Sequence, residues 1–189
     1  MKSICVFCGS NFGDKKAYSD IAIALGKYFA AEGITLVYGG GNVGLMGDIA
    51  NSVLSHGGKV IGVMPDDLVK KEIAHKGLTE LHIVQSMHER KALMAKLADG
   101  FIALPGGFGT FEELLEMMTW TQLGLHKKPC AILNVEHFYD FLLQFISHAV
   151  NEKFIKKENA EILICEQNIE KLIYVMRDWK PSIIEKWIK

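Results

Sequence analysis

The stretch Pro105-Gly106-Gly107-Phe108-Gly109-Thr110-Phe111-Glu112-Glu113 follows directly on the apolar run 101–104 and opens a segment of helical periodicity. Glycines between a strand and a helix let backbone N–H groups approach a ligand closely. The helix N-terminus adds about half a positive charge where a phosphate would sit. Glu113 stands three residues beyond Thr110, within one helical turn of that cradle. One short segment therefore offers a grip for an anion and a carboxylate beside it. The same residues also have an architectural reading, because Thr110-x-x-Glu113 fits a capping box worth about 1 kcal/mol. A cap alone does not call for Gly106, Gly107 and Gly109 together.

Other stretches could converge on the same place. Met87-His88-Glu89-Arg90-Lys91 opens a helical segment behind Ser86, and Ser86-x-x-Glu89 is itself a capping box. Arg90 and Lys91 either stand as exposed charges or supply cationic donors to phosphate and ribose oxygens. Gly39-x-Gly41-x-x-Gly44 formally matches a dinucleotide fingerprint, with Asp66 or Asp67 the acid about twenty residues on. These glycines follow the second strand, however, and Pro65 separates the acids from the strand end, so a tight turn explains them equally well. Gly9-Ser10-Asn11 makes a third such turn, and three at strand ends suggest a pocket of nucleotide size. The connection 65–80, with Glu72 and His75, is the longest loop, and long loops are often functional.

Elements of regular spacing must position these residues. Strands are expected at 4–8, 34–38, 60–64, 81–84, 101–104, 130–133 and 162–165. Helices are expected at 15–32, 44–56, 87–98, 111–123, 138–150 and 168–179, with Asp14 capping the first. Strict alternation of near-continuous apolar strands with helices predicts an α/β, doubly wound, Rossmann-like and mostly parallel sheet of about seven strands, covered on both faces. Ligands in such sheets bind beyond the C-terminal strand ends.

Composition narrows the classes. Lys and Arg number 21 against 22 Asp and Glu, a formal net charge of −1 with no basic footprint for nucleic acid or an anionic membrane. The 189 residues are expected to form a single nucleotide-binding domain, 1–189. The start runs straight into a strand with no signal-peptide pattern or apolar span of membrane length, so a cytoplasmic location is expected. The four cysteines fit reduced core thiols, since Cys5-x-x-Cys8 lacks a helix N-terminus or a second ligand pair. No metal-ligand spacing is visible, and no metal is expected.

Taken together these blocks resemble the Lonely guy family, the cytokinin riboside 5′-monophosphate phosphoribohydrolases that often carry the label lysine decarboxylase. The pattern Pro-Gly-Gly-x-Gly-Thr-x-x-Glu is matched in full from Pro105 to Glu113. Val6-Phe7-Cys8-Gly9-Ser10, Val37-Tyr38-Gly39-Gly40-Gly41, Val43-Gly44-Leu45-Met46-Gly47, Leu78-Thr79-Glu80-Leu81, the Met87–Lys91 block and Thr119-Trp120-x-Gln122-Leu123-Gly124 are similar too. The resemblance implies hydrolysis of the N-glycosidic bond of adenine-type nucleoside 5′-monophosphates, with Arg90 and Glu113 as the catalytic pair. It further implies that Glu72, Arg90, Lys91, Gly107, Phe108, Gly109, Thr110, Phe111, Glu112, Glu113 and Thr119 contact the nucleotide, that no cofactor is needed, and that the protein is a homodimer. Met94, Met117 and Trp120 are expected near the dimer patch. The absence of a pyridoxal-phosphate lysine motif argues against decarboxylation. A non-catalytic nucleotide or molybdenum-cofactor carrier on the same fold is the alternative, and a nicotinamide-dependent oxidoreductase the third reading.

Overall fold

The computed structural model describes residues 1–70 and 74–180. Its strands are β1 (Ser3–Phe7), β2 (Thr35–Tyr38), β3 (Val60–Pro65), β4 (Glu80–Val84), β5 (Phe101–Ala103), β6 (Cys130–Leu133) and β7 (Leu163–Glu166). Between and after them run α1 (Lys16–Ala31), α2 (Gly44–Ser55), α3 (Asp66–Val69), α4 (Met87–Leu97), α5 (Phe108–Gln122), α6 (Asp140–Asn151), α7 (Lys157–Ala160) and α8 (Ile169–Asp178). The strands form one sheet in the order β4-β3-β2-β1-β5-β6-β7. Every neighbouring pair is parallel. The expected α/β doubly wound sheet is therefore present.

Side-chain alternation along the strands builds a core on each face. Ile4, Val6, Ile102, Leu104, Ala131 and Leu133 face one cluster, shared with α1, α2 and α8. Cys5, Phe7, Phe101, Ala103, Cys130 and Ile132 face the other, beneath α4 and α5. Period-two alternation with both faces apolar is what a central parallel strand requires. The strand order reverses at β1, where β2 lies on one side and β5 on the other. The turns after β1 and β5 are stitched there by Gly9 N–H donating to the Pro105 carbonyl at 3.0 Å.

Several local expectations are corrected. Helix α5 begins at Phe108, not Phe111, with Gly107 as N-cap and no side-chain cap. Thr110 thus lies inside the first turn, so Thr110 and Glu113 do not make a capping box. Asp14 does not cap α1, whose N-cap is Lys15 without a side-chain bond. Met94 and Met117 are each 1% exposed in the chain's own core and do not form a surface patch. Trp120 packs half-buried against that same core. Exposed apolar side chains on α4 and α5 are instead Met87, Phe108, Leu115 and, just past α5, Leu123. The cap at Ser86 is present, with Ser86 Oγ accepting from Glu89 N–H at 3.1 Å, but the Glu89 carboxylate reaches past the Ser86 N–H to accept from Gln85 N–H at 2.8 Å.

Candidate active site

The site grows from two helices lying over the same face of the sheet. Helix α4 carries Arg90 in its first turn, and α5 carries Glu113 in its second. Their side chains meet, with Arg90 Nη1 3.3 Å from Glu113 Oε1 and only 12% and 11% of the two side chains exposed. Arg90 is held from a second direction, since its Nε–H donates to the Val63 carbonyl of β3 at 3.1 Å. Gly39, just past β2, supplies the floor. A Cβ there would stand 1.9 Å from Arg90 Nη2, so the guanidinium rests directly on the glycine backbone.

Electrostatics at Glu113 follow from this enclosure. Burial pushes its carboxyl above the ordinary carboxylate range, and the Arg90 guanidinium pulls it back in part. A buried carboxylate balanced by one fixed cation can stabilise positive charge developing on a substrate, or order a water. Cys5 and Cys8 lie close enough to feel that carboxylate, and burial raises both thiols well above their usual range. Both are free thiols, as are Cys130 and Cys165. Reduced core thiols fit this; a reactive pair would need lowered values.

The glycine loop sits at the mouth. The first intrahelical bond of α5 runs from Phe111 N–H to the Gly107 carbonyl at 3.1 Å. The N–H groups of residues 107 to 110 consequently have no helical acceptor and are available to an anion. A Cβ at Gly107 or Gly109 would meet open space, while one at Gly106 would lie 2.1 Å from Thr110 Oγ1 and 2.9 Å from Gly9 N. Gly106 is thus the packing glycine, and Gly107 and Gly109 leave the approach clear. Thr110 is 4% exposed, whereas the Phe108 side chain is 93% exposed. Phe111 packs beside Phe138 and Tyr139. A cleft of about 190 Å³ opens between the β1 and β5 turns, lined by Gly9, Asn11, Tyr18, Gly106, Gly107 and Phe138 among others. A larger recess of about 450 Å³, with Asn42, Asp48 and Asn51, adjoins it through Ser10 and Asn11.

Other expected residues are placed differently. Lys91 Nζ pairs with Glu112 and lies 3.0 Å from Glu116 Oε2, with 8% of its side chain exposed. It acts here as a strut between α4 and α5, and Glu112 as its partner. Thr119 is exposed, and its hydroxyl donates to the Leu115 carbonyl at 2.7 Å. It lies six residues along α5 from Glu113, about 9 Å up the axis. Glu72 lies outside the described residues. Asp66 and Asp67 begin the short α3, where Asp66 pairs with Lys70. Among the described residues no group of three or more His, Cys, Asp or Glu is gathered as a metal would require. Gly39 as the seat of Arg90 is not among the sequence-based expectations, although its turn matches a glycine fingerprint.

A parallel doubly wound sheet with glycine turns at its switch point and a buried guanidinium–carboxylate pair defines a nucleotide-type α/β enzyme scaffold. A family described as "Possible lysine decarboxylase" matches residues 46–176. The chain belongs to this family. It is 49% identical over 181 residues to the cytokinin riboside 5′-monophosphate phosphoribohydrolase LOG of Oryza sativa subsp. japonica, covering 96% of this chain and 75% of that protein. Identity to the corresponding LOG1 of Arabidopsis thaliana is 49% over 180 residues, covering 95% and 84%. The fold is shared with the molybdenum cofactor binding protein of Rippkaea orientalis, at a TM-score of 0.71 and 21% identity over 94% of this chain and 97% of the other.

Proposed function

We propose that the protein hydrolyses the N-glycosidic bond of adenine-type nucleoside 5′-monophosphates, cytokinin riboside monophosphates foremost, releasing free base and ribose 5-phosphate. The observation that carries this is the buried Arg90–Glu113 pair set one helical turn from the open N–H groups of Gly107 to Thr110. The phosphate binds at Gly107, Phe108, Gly109 and Thr110, and anchors the sugar. As the base departs, positive charge grows at the anomeric carbon in an oxocarbenium-like transition state. The Glu113 carboxylate stabilises that charge and orients the attacking water. Water adds at the anomeric carbon as the glycosidic electron pair leaves with the base, which takes up a proton. Arg90 holds the carboxylate and the sugar in register. Lys91 and Glu112 keep α4 and α5 at the spacing that brings the pair together, and with Glu72, Phe111 and Thr119 complete the nucleotide contacts. The chain folds as one domain and acts in the cytoplasm as a homodimer, without cofactor or metal.

The test is incubation with isopentenyladenosine monophosphate, AMP and their dephosphorylated nucleosides, followed by chromatography of free base and ribose 5-phosphate. Release is expected from the monophosphates only. Glu113→Gln abolishes release while nucleotide affinity is retained, because the anchor is the loop and not the acid. Cleavage of adenosine as readily as AMP would overturn the phosphate anchor. Tight binding without release from any nucleotide would make the protein a carrier.

A further inference from the structure

The turn that seats Arg90 is itself held from the other side by one buried histidine. His75, 8% exposed, donates its backbone N–H to the Gly40 carbonyl at 2.9 Å. Its neighbour Ala74 pairs antiparallel with Gly41. Its ring accepts the Gly77 N–H at Nδ1, 3.0 Å away, which puts the ring proton on Nε2. That Nε2–H donates to Asn51 Oδ1 on α2 at 3.0 Å. His75 therefore joins three segments, its backbone N–H holding the turn after β2 while its ring ties the connection ahead of β4 to helix α2. Gly40 sits in the left-handed region at φ +78°, so the turn's shape depends on such external bonds. We propose that His75 is a positioning residue for Arg90, fixing the Gly39–Gly41 turn on which the guanidinium rests. Burial lowers the imidazole from its ordinary value, in keeping with a neutral ring that keeps its Nδ1 lone pair for Gly77.

The kinetic part of this inference rests on the phosphoribohydrolase reading; the positional part does not. The first readout, on the full chain, is solvent exchange of the Arg90 Nε–H by nitrogen-15 NMR, since that proton is held by the Val63 carbonyl at 3.1 Å. His75→Ala is expected to speed that exchange at least tenfold and to lower kcat by roughly ten- to a hundredfold, with KM within about twofold, as a misplaced catalytic group does. His75→Gln, which keeps a donor toward Asn51, should restore most of both. In an Arg90→Lys background, His75→Ala should cost little further kcat, because contributions that act through one residue do not add. Unchanged exchange and kcat in folded His75→Ala, or equal losses in both backgrounds, overturns the proposal. If His75→Ala does not fold, the same measurements on Asn51→Ala decide it. A wild-type protein that releases no base refutes the reaction alone, and the exchange measurement still decides the positioning.

Discussion

Arg90 and Glu113 stand on consecutive helices, α4 and α5, with β5 between them in sequence, and they meet at 3.3 Å in a nearly closed space. In the reaction proposed above, Glu113 must be ionised to stabilise a cationic transition state. Because burial raises its carboxyl, the acidic limb of kcat/KM should lie above the ordinary carboxylate range, with activity falling as pH falls through it. The linked effect on stability has the opposite sense. The folded state holds this proton to higher pH than the unfolded chain does, so the contribution is present below the unfolded value and is lost as pH rises through the folded one. Removing the guanidinium in Arg90→Gln takes away the influence that lowers the carboxyl. The Glu113 midpoint, followed by carbon-13 NMR of the carboxyl, should then move further upward; a downward move would contradict the ion pair. Gly39 offers a complementary probe. Gly39→Ala puts a methyl where Nη2 now lies, 1.9 Å from it, at a position whose backbone is not left-handed. Turnover should fall by roughly a hundredfold while the melting temperature stays within a few degrees, since a displaced catalytic group costs rate far more than stability.

At the scale of the element, the helices are held by local devices that differ in how plainly the sequence displays them. The Ser86 cap on α4 is one of the plainest, with its hydroxyl taking the Glu89 N–H and the Glu89 carboxylate reaching back to the Gln85 N–H. Ser86→Ala should cost about 1 kcal/mol and lower the melting temperature by roughly 2–4 °C in calorimetry. Every strand was legible, because buried parallel strands read as short apolar runs and their ends fall within a residue or two of the pattern. The start of α5 was not legible. Thr110 and Glu113 have the spacing of a capping box, but the helix starts earlier at a glycine that caps with its backbone alone. The fate of Lys91 was equally hidden. Sequence shows a cation beside Arg90, but only the packing of α4 on α5 reveals that Glu112 and Glu116, one helical turn apart, close over it. Gly39 belongs with these, since its close neighbour is a side chain fifty-one positions away and no local pattern encodes that contact.

At the scale of the molecule, the two apolar layers stabilise a sheet whose glycine turns gather at the C-terminal ends of its central strands. The homodimer proposed above makes a definite demand on the remaining surface. Leu115 and Leu123, 41% and 45% exposed on and just past α5, and Met87 at 45% on α4, are the apolar side chains such an interface would cover. Sedimentation equilibrium should give twice the 21.1 kDa of the chain, and Leu115→Asp with Leu123→Asp should shift it toward monomer. A monomer in the unaltered protein would remove the dimer. The position of β1 has a further consequence, for synthesis on the ribosome. Of the strands in this sheet it is made first, yet in the finished sheet it lies between β2 and β5. One of its edges therefore stays unpaired until Phe101–Ala103 has emerged, an interval on the order of ten seconds at usual elongation rates. During that time a nascent chain presents Ile4, Val6 and Phe7 beside an open row of backbone donors and acceptors. Chaperone dependence and co-translational aggregation should accordingly be governed by the segment from β1 to β5, before Glu113 on α5 has been made.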